Sequence, residues 1–223
     1  MDAVYVLGSG SQWQNNELRY SLRSLRNIQH SNVFIVGDCP EWVENVTHIP
    51  AIDYSNIPQI NVADKLLIVA NDERISEDFI LMNDDFFILK PTEIRPYYKQ
   101  TLEQAKEMYK YNDHNYAIAV RNTHALYPLG LDYSLHIPFI FNRKKLATTT
   151  LHLGALPLLL RSVYANQWQI GGEKMEDCKV SEVSILEEYD GTFMSINDSV
   201  AKKPELQSFL MDRFPCPSRY ERC

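Results

Sequence analysis

The sequence predicts an α/β fold, a mixed, mainly parallel sheet flanked by helices, in one domain over residues 1–223. Three observations predict it. Apolar runs at 3–7 and 33–36 flank a helical pattern at 17–26, making a strand–helix–strand unit. A third apolar run, 79–82, breaks at Asn83-Asp84-Asp85 and resumes at Phe86, which reads as buried strand, sharp break, strand. Hydrophobic residues make up 45 % of the 223 positions, enough for a substantial core, and the composition carries no disorder signal.

The first strand, 3–7, ends in Gly8-Ser9-Gly10-Ser11. Such a turn lets backbone N–H groups approach a phosphate or ribose, and it is equally an ordinary turn, because the third glycine of the dinucleotide fingerprint is missing. In the helix at 17–26, Leu18, Leu22 and Leu25 fall on one face, with Asn15 or Asn16 as cap. Arg19 and Arg23 form a stripe beside that face. Two guanidinium forks suit a diphosphate, or they pair with acids or water.

The second strand, 33–36, ends at Gly37-Asp38, and 46–49 reads as a third, stopped by Pro50. Residues 51–61 read as loop. Val62, Leu66 and Val69 mark a helix that carries Lys65 toward the next strand end. After the acidic break, Pro91 closes a hairpin-like segment. A polar helix at 102–111, a strand at 116–120, a long loop at 125–141 and helices at 142–151 and 155–167 follow. Residues 180–183 and 193–196 read as strands, the latter ending in Asn197-Asp198, and a terminal helix starts at Pro204.

Two adjacent aspartates beside a core repel each other, so one stays protonated or a cation sits with them. Mg²⁺ typically takes one or two carboxylates plus phosphate oxygens. Successive side chains on a strand face opposite ways, so either the chain bends here or one Asp is a ligand and the other neutralises. The alternative is a plain hairpin turn, which Asn and Asp favour.

A net charge of −7 argues against a broad basic footprint for nucleic acid. No run approaches the roughly 20 apolar residues of a membrane span, and the N-terminal residues lack a basic n-region. The expectation is a cytoplasmic protein without a membrane span, of undetermined oligomeric state. Cys39, Cys178, Cys216 and Cys223 form no Cys-x-x-Cys pair, so free thiols are expected, with a Cys216–Cys223 bridge as the alternative.

Residues 17–24, Glu-Leu-Arg-Tyr-Ser-Leu-Arg-Ser, together with the Asn83-Asp84-Asp85 segment, resemble the Stealth family of sugar-phosphate transferases. Residues 2–6, His136-Ile137-Pro138 and Ile196-Asn197-Asp198 are similar to other regions of that family, in the same order along the chain. The chain departs from the family at Leu7-Gly8-Ser9-Gly10, where a Val-Asn-Gly type turn is usual. The resemblance implies a fold like that of the GT-A nucleotide-sugar transferases, a UDP-sugar donor and a divalent metal.

On this reading Asp84 and Asp85 hold Mg²⁺ or Mn²⁺ against the donor diphosphate, with Asp198 as a further metal or acceptor ligand. Arg19, Arg23 and Lys65 add positive charge, and Gly8, Ser9, Gly10 and Asn83 accommodate the nucleotide. His136 is the expected base for an acceptor hydroxyl, although a lone histidine is often structural. The acceptor is a saccharide, glycolipid, protein or modified nucleobase. Attack at the anomeric carbon, the favoured expectation, releases UDP; attack at phosphorus, the chemistry that the resemblance implies, releases UMP. A nucleotide-sugar binding module without turnover and a metal-dependent phosphoesterase are the rivals.

Overall fold

The computed structural model describes residues 1–8, 11, 13–149 and 156–222. Its strands in chain order are β1 Asp2–Leu7, β2 Val33–Gly37, β3 Thr47–Ile49, β4 Asp78–Met82, β5 Phe86–Ile88, β6 Tyr97–Tyr98, β7 Gln100–Thr101, β8 Leu131–Asp132, β9 Phe139–Asn142, β10 Glu173–Lys174, β11 Lys179–Val180 and β12 Phe193–Ile196. Its helices are α1 Asn16–Ser24, α2 Pro58–Asn71, α3 Leu102–Met108, α4 Asn115–Leu126, α5 Arg143–Thr148, α6 Leu160–Gln167, α7 Asp198–Ala201 and α8 Pro204–Arg213.

The main sheet has the order β3-β2-β1-β4-β9. Its first four strands are mutually parallel, and β9 runs antiparallel along β4. Unbroken apolar sequence in β1, β2 and β4 is what a parallel sheet covered on both faces demands. Leu18, Leu22 and Leu25 from the α1 segment pack on one face, against Tyr5, Met82 and Phe86. Leu66, Val69 and Ala70 of α2 pack on the other, with Val4, Leu81, Phe139 and Phe141. Each buried Leu, Val, Met or Phe among them contributes roughly 1.5–3 kcal/mol over its exposed state. Buried Asp2 fixes the start of β1 by accepting from the backbone N–H of Asn32 (3.0 Å) and of Ser76 (2.7 Å).

The chain leaves β1 to build β2 on one side and returns to build β4 on the other. That reversal opens a crevice beyond the carboxyl ends of the two strands, the usual ligand position in open α/β sheets. The Tyr5↔Met82 register makes the two strand ends level. Gly8 and the acidic turn therefore stand side by side.

β4 and β5 flank the acidic turn as strand, break and strand, and the alternative, a hairpin pairing the two, does not form. β5 pairs antiparallel with β12, which pairs parallel with β11, in a separate sheet. Phe86 faces the core under α1, whereas Phe87 faces a third core with Met194, Leu206, Leu210 and Phe214. Two cores on opposite faces of β5 account for the unbroken apolar run.

Several expectations are corrected. Residues 116–120 lie in helix α4, not a strand. The Tyr-Ala-Ile-Ala-Val alternation mimics a period of two, but Ala117, Val120 and Thr123 are buried at helical spacing, and the His114 ring caps the helix by accepting from the N–H of Ala117. The loop at 125–141 contains β8 and runs into β9. Asn15 is the N-cap residue of α1, yet its backbone is left-handed and its side chain makes no capping bond. The third helix ends at Met108, α5 ends at Thr148, and α6 starts only at Leu160, leaving Leu156 exposed. Residues 183–185 form a 3₁₀ turn after β11. Expectations at Leu151, Gly154, Ala155 and Cys223 lie outside the described residues. Cys39, Cys178 and Cys216 are free thiols. Among the described residues no helix is long and apolar enough to cross a membrane.

Candidate active site

A cavity of about 240 Å³ opens at the crevice, between the start of α2, the α4 ring of Tyr116 and the Ser134–His136 loop. Asn83, Phe86, His136 and Arg161 also line it.

The acidic turn is built from both sides. Phe86 N–H closes it onto the Asn83 carbonyl at 3.2 Å. The Ser21 hydroxyl of α1 lies 2.6 Å from the Phe86 carbonyl, 3.2 Å from the Asn83 carbonyl and 3.1 Å from the Tyr5 hydroxyl. Burial, then the charges of Asp85 and Glu17, push the Asp84 carboxyl up to about 7. Glu17 is itself buried. Its Oε1 accepts from the Ser11 hydroxyl and its Oε2 has no partner. Asp85 points to β12, where the Ser195 hydroxyl donates to Oδ2 at 2.7 Å and the Lys179 ammonium lies 3.9 Å away. The register Ser195↔Phe86, continued, runs the Asn197 end of β12 alongside the turn. Asp198 follows as the exposed first residue of α7.

The acidic turn fits a hard divalent cation in part. Asp84 has a raised pKa beside the charges of Asp85 and Glu17, and Glu17 holds an unpartnered oxygen, so a cation beside Asp84 relieves the repulsion. Among the described residues no three His, Cys, Asp or Glu side chains converge as a closed ligand set, and the expected Asp84, Asp85 and Asp198 trio is therefore not assembled. Two carboxylates with substrate oxygens completing the shell remain compatible with Mg²⁺ or Mn²⁺.

At the neighbouring strand end, a side chain on Gly8 would place its Cβ 2.9 Å from Asp53 Oδ2. Only glycine admits Asp53 so close. The buried Lys65 ammonium donates to the Leu7 carbonyl at 2.5 Å and to the Asp53 carboxylate. It reaches the expected crevice, but its charge is matched by Asp53. Ser9 and Gly10 lie outside the described residues.

Arg19 and Arg23 are not free for a diphosphate. Arg23 binds Glu221 through two parallel bonds, Nε to Oε1 at 2.8 Å and NH2 to Oε2 at 2.7 Å, and also donates to the Phe214 carbonyl at 2.9 Å. Arg19 donates to Glu221 Oε2 at 2.8 Å and lies 4.1 Å over the Trp42 ring. The stripe clamps the C-terminal segment onto α1.

His136 lines the cavity with Nδ1 2.9 and 3.0 Å from the two oxygens of Asp177. Asp177 also faces the Lys99 ammonium at 3.0 Å. Burial works against the Asp177 charge, yet hydrogen bonds from His136 and Lys99 outweigh it and hold the carboxyl well below its ordinary range. Arg161, at the start of α6, donates from NH1 to the carbonyls of Leu135 (2.7 Å) and Ile137 (2.8 Å), with its guanidinium 5.2 Å over the Phe86 ring. Burial pulls it down to about 10 while Asp85 and Asp177 hold it up, so it is cationic at neutral pH.

Sequence reasoning missed Arg161, Asp177, Ser195 and Glu221. Arg161 sits in an amphipathic helix with no local mark. Asp177 lies 41 residues from the histidine it binds. The one local signal was Glu17 in the α1 motif, whose carboxyl needed a reason to stand beside an acidic turn.

No family model matches the chain. The capsular polysaccharide phosphotransferase fcs1 of Haemophilus influenzae is 25 % identical over 215 residues, covering 90 % of this chain and 49 % of that protein. The chain thus spans about half the length of this curated relative. The galactosyltransferase LgtC, solved with donor and acceptor sugar analogues, superposes with a TM-score of 0.50 at 8 % identity, covering 98 % of each chain. Mouse xyloside xylosyltransferase 1, solved without ligand, gives a TM-score of 0.38 at 7 % identity, covering 99 % of this chain and 95 % of that one. In sequence this chain resembles a Stealth-type phosphotransferase, and its mixed, mainly parallel sheet is the GT-A-like fold seen in LgtC.

Proposed function

We propose that the chain transfers a sugar phosphate from a nucleotide-diphospho-sugar, with UDP as the expected nucleotide, to an acceptor hydroxyl. The observation that carries this reading is one cavity at the end of β4, lined by Asn83 of the acidic turn, by His136 and by the half-free Arg161. Sequence similarity to a phosphotransferase along 90 % of the chain favours phosphorus as the point of attack.

His136 accepts the proton of the acceptor hydroxyl. The hydroxyl oxygen forms a bond to the sugar-bearing phosphorus, and the bond from that phosphorus to the bridging oxygen breaks, releasing the nucleoside monophosphate. The Arg161 N–H groups not held by Leu135 and Ile137 face charge on the phosphoryl oxygens, where a fixed donor in a partly dry site is most effective. Asp84 and Asp85 would hold Mg²⁺ or Mn²⁺, with Asp198 at the rim, and such an ion supplies Lewis-acid neutralisation of the diphosphate. Gly8 and Asn83 flank the space for the nucleotide. A saccharide, glycolipid, protein or modified nucleobase supplies the hydroxyl.

Glycosyl transfer is the second reading, and the fold shared with LgtC favours it. There the same base activates the hydroxyl for attack at the anomeric carbon, and the nucleoside diphosphate leaves.

Mass spectrometry of the nucleotide released from a panel of UDP-sugars, with Mg²⁺ or Mn²⁺ and saccharide acceptors, separates the two. UMP supports sugar-phosphate transfer and UDP supports glycosyl transfer. Equal release by wild type and Asp85→Ala removes the acidic turn from the mechanism. Tight donor binding with no release under any metal or acceptor indicates a binding module.

A further inference from the structure

Resting on the reading of His136 as the base, we infer that Asp177 is its positioning residue: it fixes the ring and keeps the proton on Nδ1, leaving Nε2 as the proton-accepting atom in the cleft. Asp177 and Cys178 grip His136 at three places. The carboxylate takes Nδ1 at 2.9 and 3.0 Å, it accepts the His136 backbone N–H at 3.1 Å, and the Cys178 thiol donates to the His136 carbonyl at 3.1 Å. The ring therefore has neither the freedom to turn nor a backbone that can shift under it.

The tautomer follows from the chemistry of the carboxylate. Asp177 accepts from the Lys99 ammonium and the His136 backbone, and these bonds favour its ionised form. An ionised carboxylate is an acceptor only. Nδ1 must then be the donor, and in the neutral ring Nε2 carries the lone pair. Nε2 has no hydrogen-bond partner among the described residues, and the side chain retains 32 % of its exposure where it lines the cleft.

The charged and titratable groups around the pair act in both directions. Lys99, from the β6–β7 link, neutralises part of the Asp177 charge, and Arg161 from α6 stands on the cleft side. Tyr116, Cys178 and Tyr189 also feel the Asp177 charge. The Asp177 carboxylate, on the Nδ1 side, faces the positive charge that the ring gains when His136 takes the hydroxyl proton. A ring held in one orientation, with a carboxylate behind Nδ1 and its other edge toward the cleft, is what a general base needs.

Long-range ¹H–¹⁵N NMR of the wild-type imidazole, at a pH where the ring is neutral, tests the assignment without relying on turnover. A protonated Nδ1 and a bare Nε2 are expected, and a proton on Nε2 overturns the inference. Asp177→Asn should let the proton populate Nε2 and lower kcat by about 10²-fold or more, with the donor KM within about twofold. Asp177→Glu, which keeps the acceptor, should recover part of that loss. An unchanged tautomer and kcat in Asp177→Asn overturns the positioning role. Full turnover by His136→Gln defeats the base reading itself, and it does so whichever nitrogen the spectrum shows protonated.

Discussion

Ser195 donates its hydroxyl hydrogen to Oδ2 of Asp85 across 2.7 Å, tying the second sheet to the turn that ends β4. The two aspartates of the turn thus differ in kind. Asp85 is anchored by a neutral donor, whereas Asp84 has burial and two like charges against it. Ser195 is fully buried, so Ser195→Ala leaves one carboxylate oxygen without its partner. The expected cost is about 1.5–3 kcal/mol, the range for a hydrogen bond to a charged group. Urea unfolding measures it, and a change under about 0.5 kcal/mol would show that the contact does not hold the turn.

Asp84 makes stability fall as pH rises. Its folded-state pKa, about 7, lies above the ordinary aspartate value of 3.8, so the folded chain keeps this proton where the unfolded chain has lost it. The contribution is unpenalised below pH ~4 and declines progressively until pH ~7. Asp84→Asn should remove that decline and stabilise the protein at pH 8 by about 2 kcal/mol, with each pKa unit worth at most about 1.4 kcal/mol. Mg²⁺ or Mn²⁺ should raise the wild-type melting temperature at pH 8 and leave Asp84→Asn nearly unmoved. Thermal melts at pH 5 and 8, with and without metal, read all three effects. A flat wild-type profile removes the strain from the turn.

Glu221 has the opposite sign. Burial works against its charge, but Arg23, the Ser218 N–H and Arg19 outweigh it and lower the carboxyl to about 2. Its stabilisation is complete above pH ~4.5 and is lost as pH falls toward ~2. Glu221→Ala strands two guanidiniums, Arg23 at only 11 % side-chain exposure, and should cost about 3 kcal/mol at pH 7. The mutant should also lack part of the acid-side decline. Parallel acid titrations of stability decide it: superimposable curves mean the clamp contributes nothing.

The clamp shows where the sequence was legible and where it stopped. The arginine spacing is local, so α1 and its stripe were readable, and so were β1, β2 and the strand ends at Gly8 and Asn83. What the guanidiniums touch depends on a residue about 200 positions away, and no local pattern carries that. His136 stood out beside Pro138, yet Asp177 gains meaning only when β11 and β12 bring it under the loop. The error at 116–120 has a different origin. Alanines at 117 and 119 carry too little side chain to distinguish alternation from a helical face.

Arg161 has two duties that one substitution can separate. NH1 holds the Leu135 and Ile137 carbonyls, which shapes the loop that carries His136. The rest of the planar fork borders the cleft, where Asp85 and Asp177 keep it charged against burial. Lysine at this position keeps a cation but has no fork to serve the carbonyls and a phosphoryl group together. Arg161→Lys should therefore lower kcat/KM for the donor by about 10²-fold, near the loss seen for one transition-state donor. Arg161→Met removes the charge as well and should fall further, with a lower melting temperature because two buried carbonyls lose their donor. The comparison is kcat/KM and melting temperature measured on both variants. If the two lose stability alike and Arg161→Lys keeps wild-type kcat/KM, Arg161 is a loop brace only, and the positive charge facing the phosphoryl oxygens must come from another group.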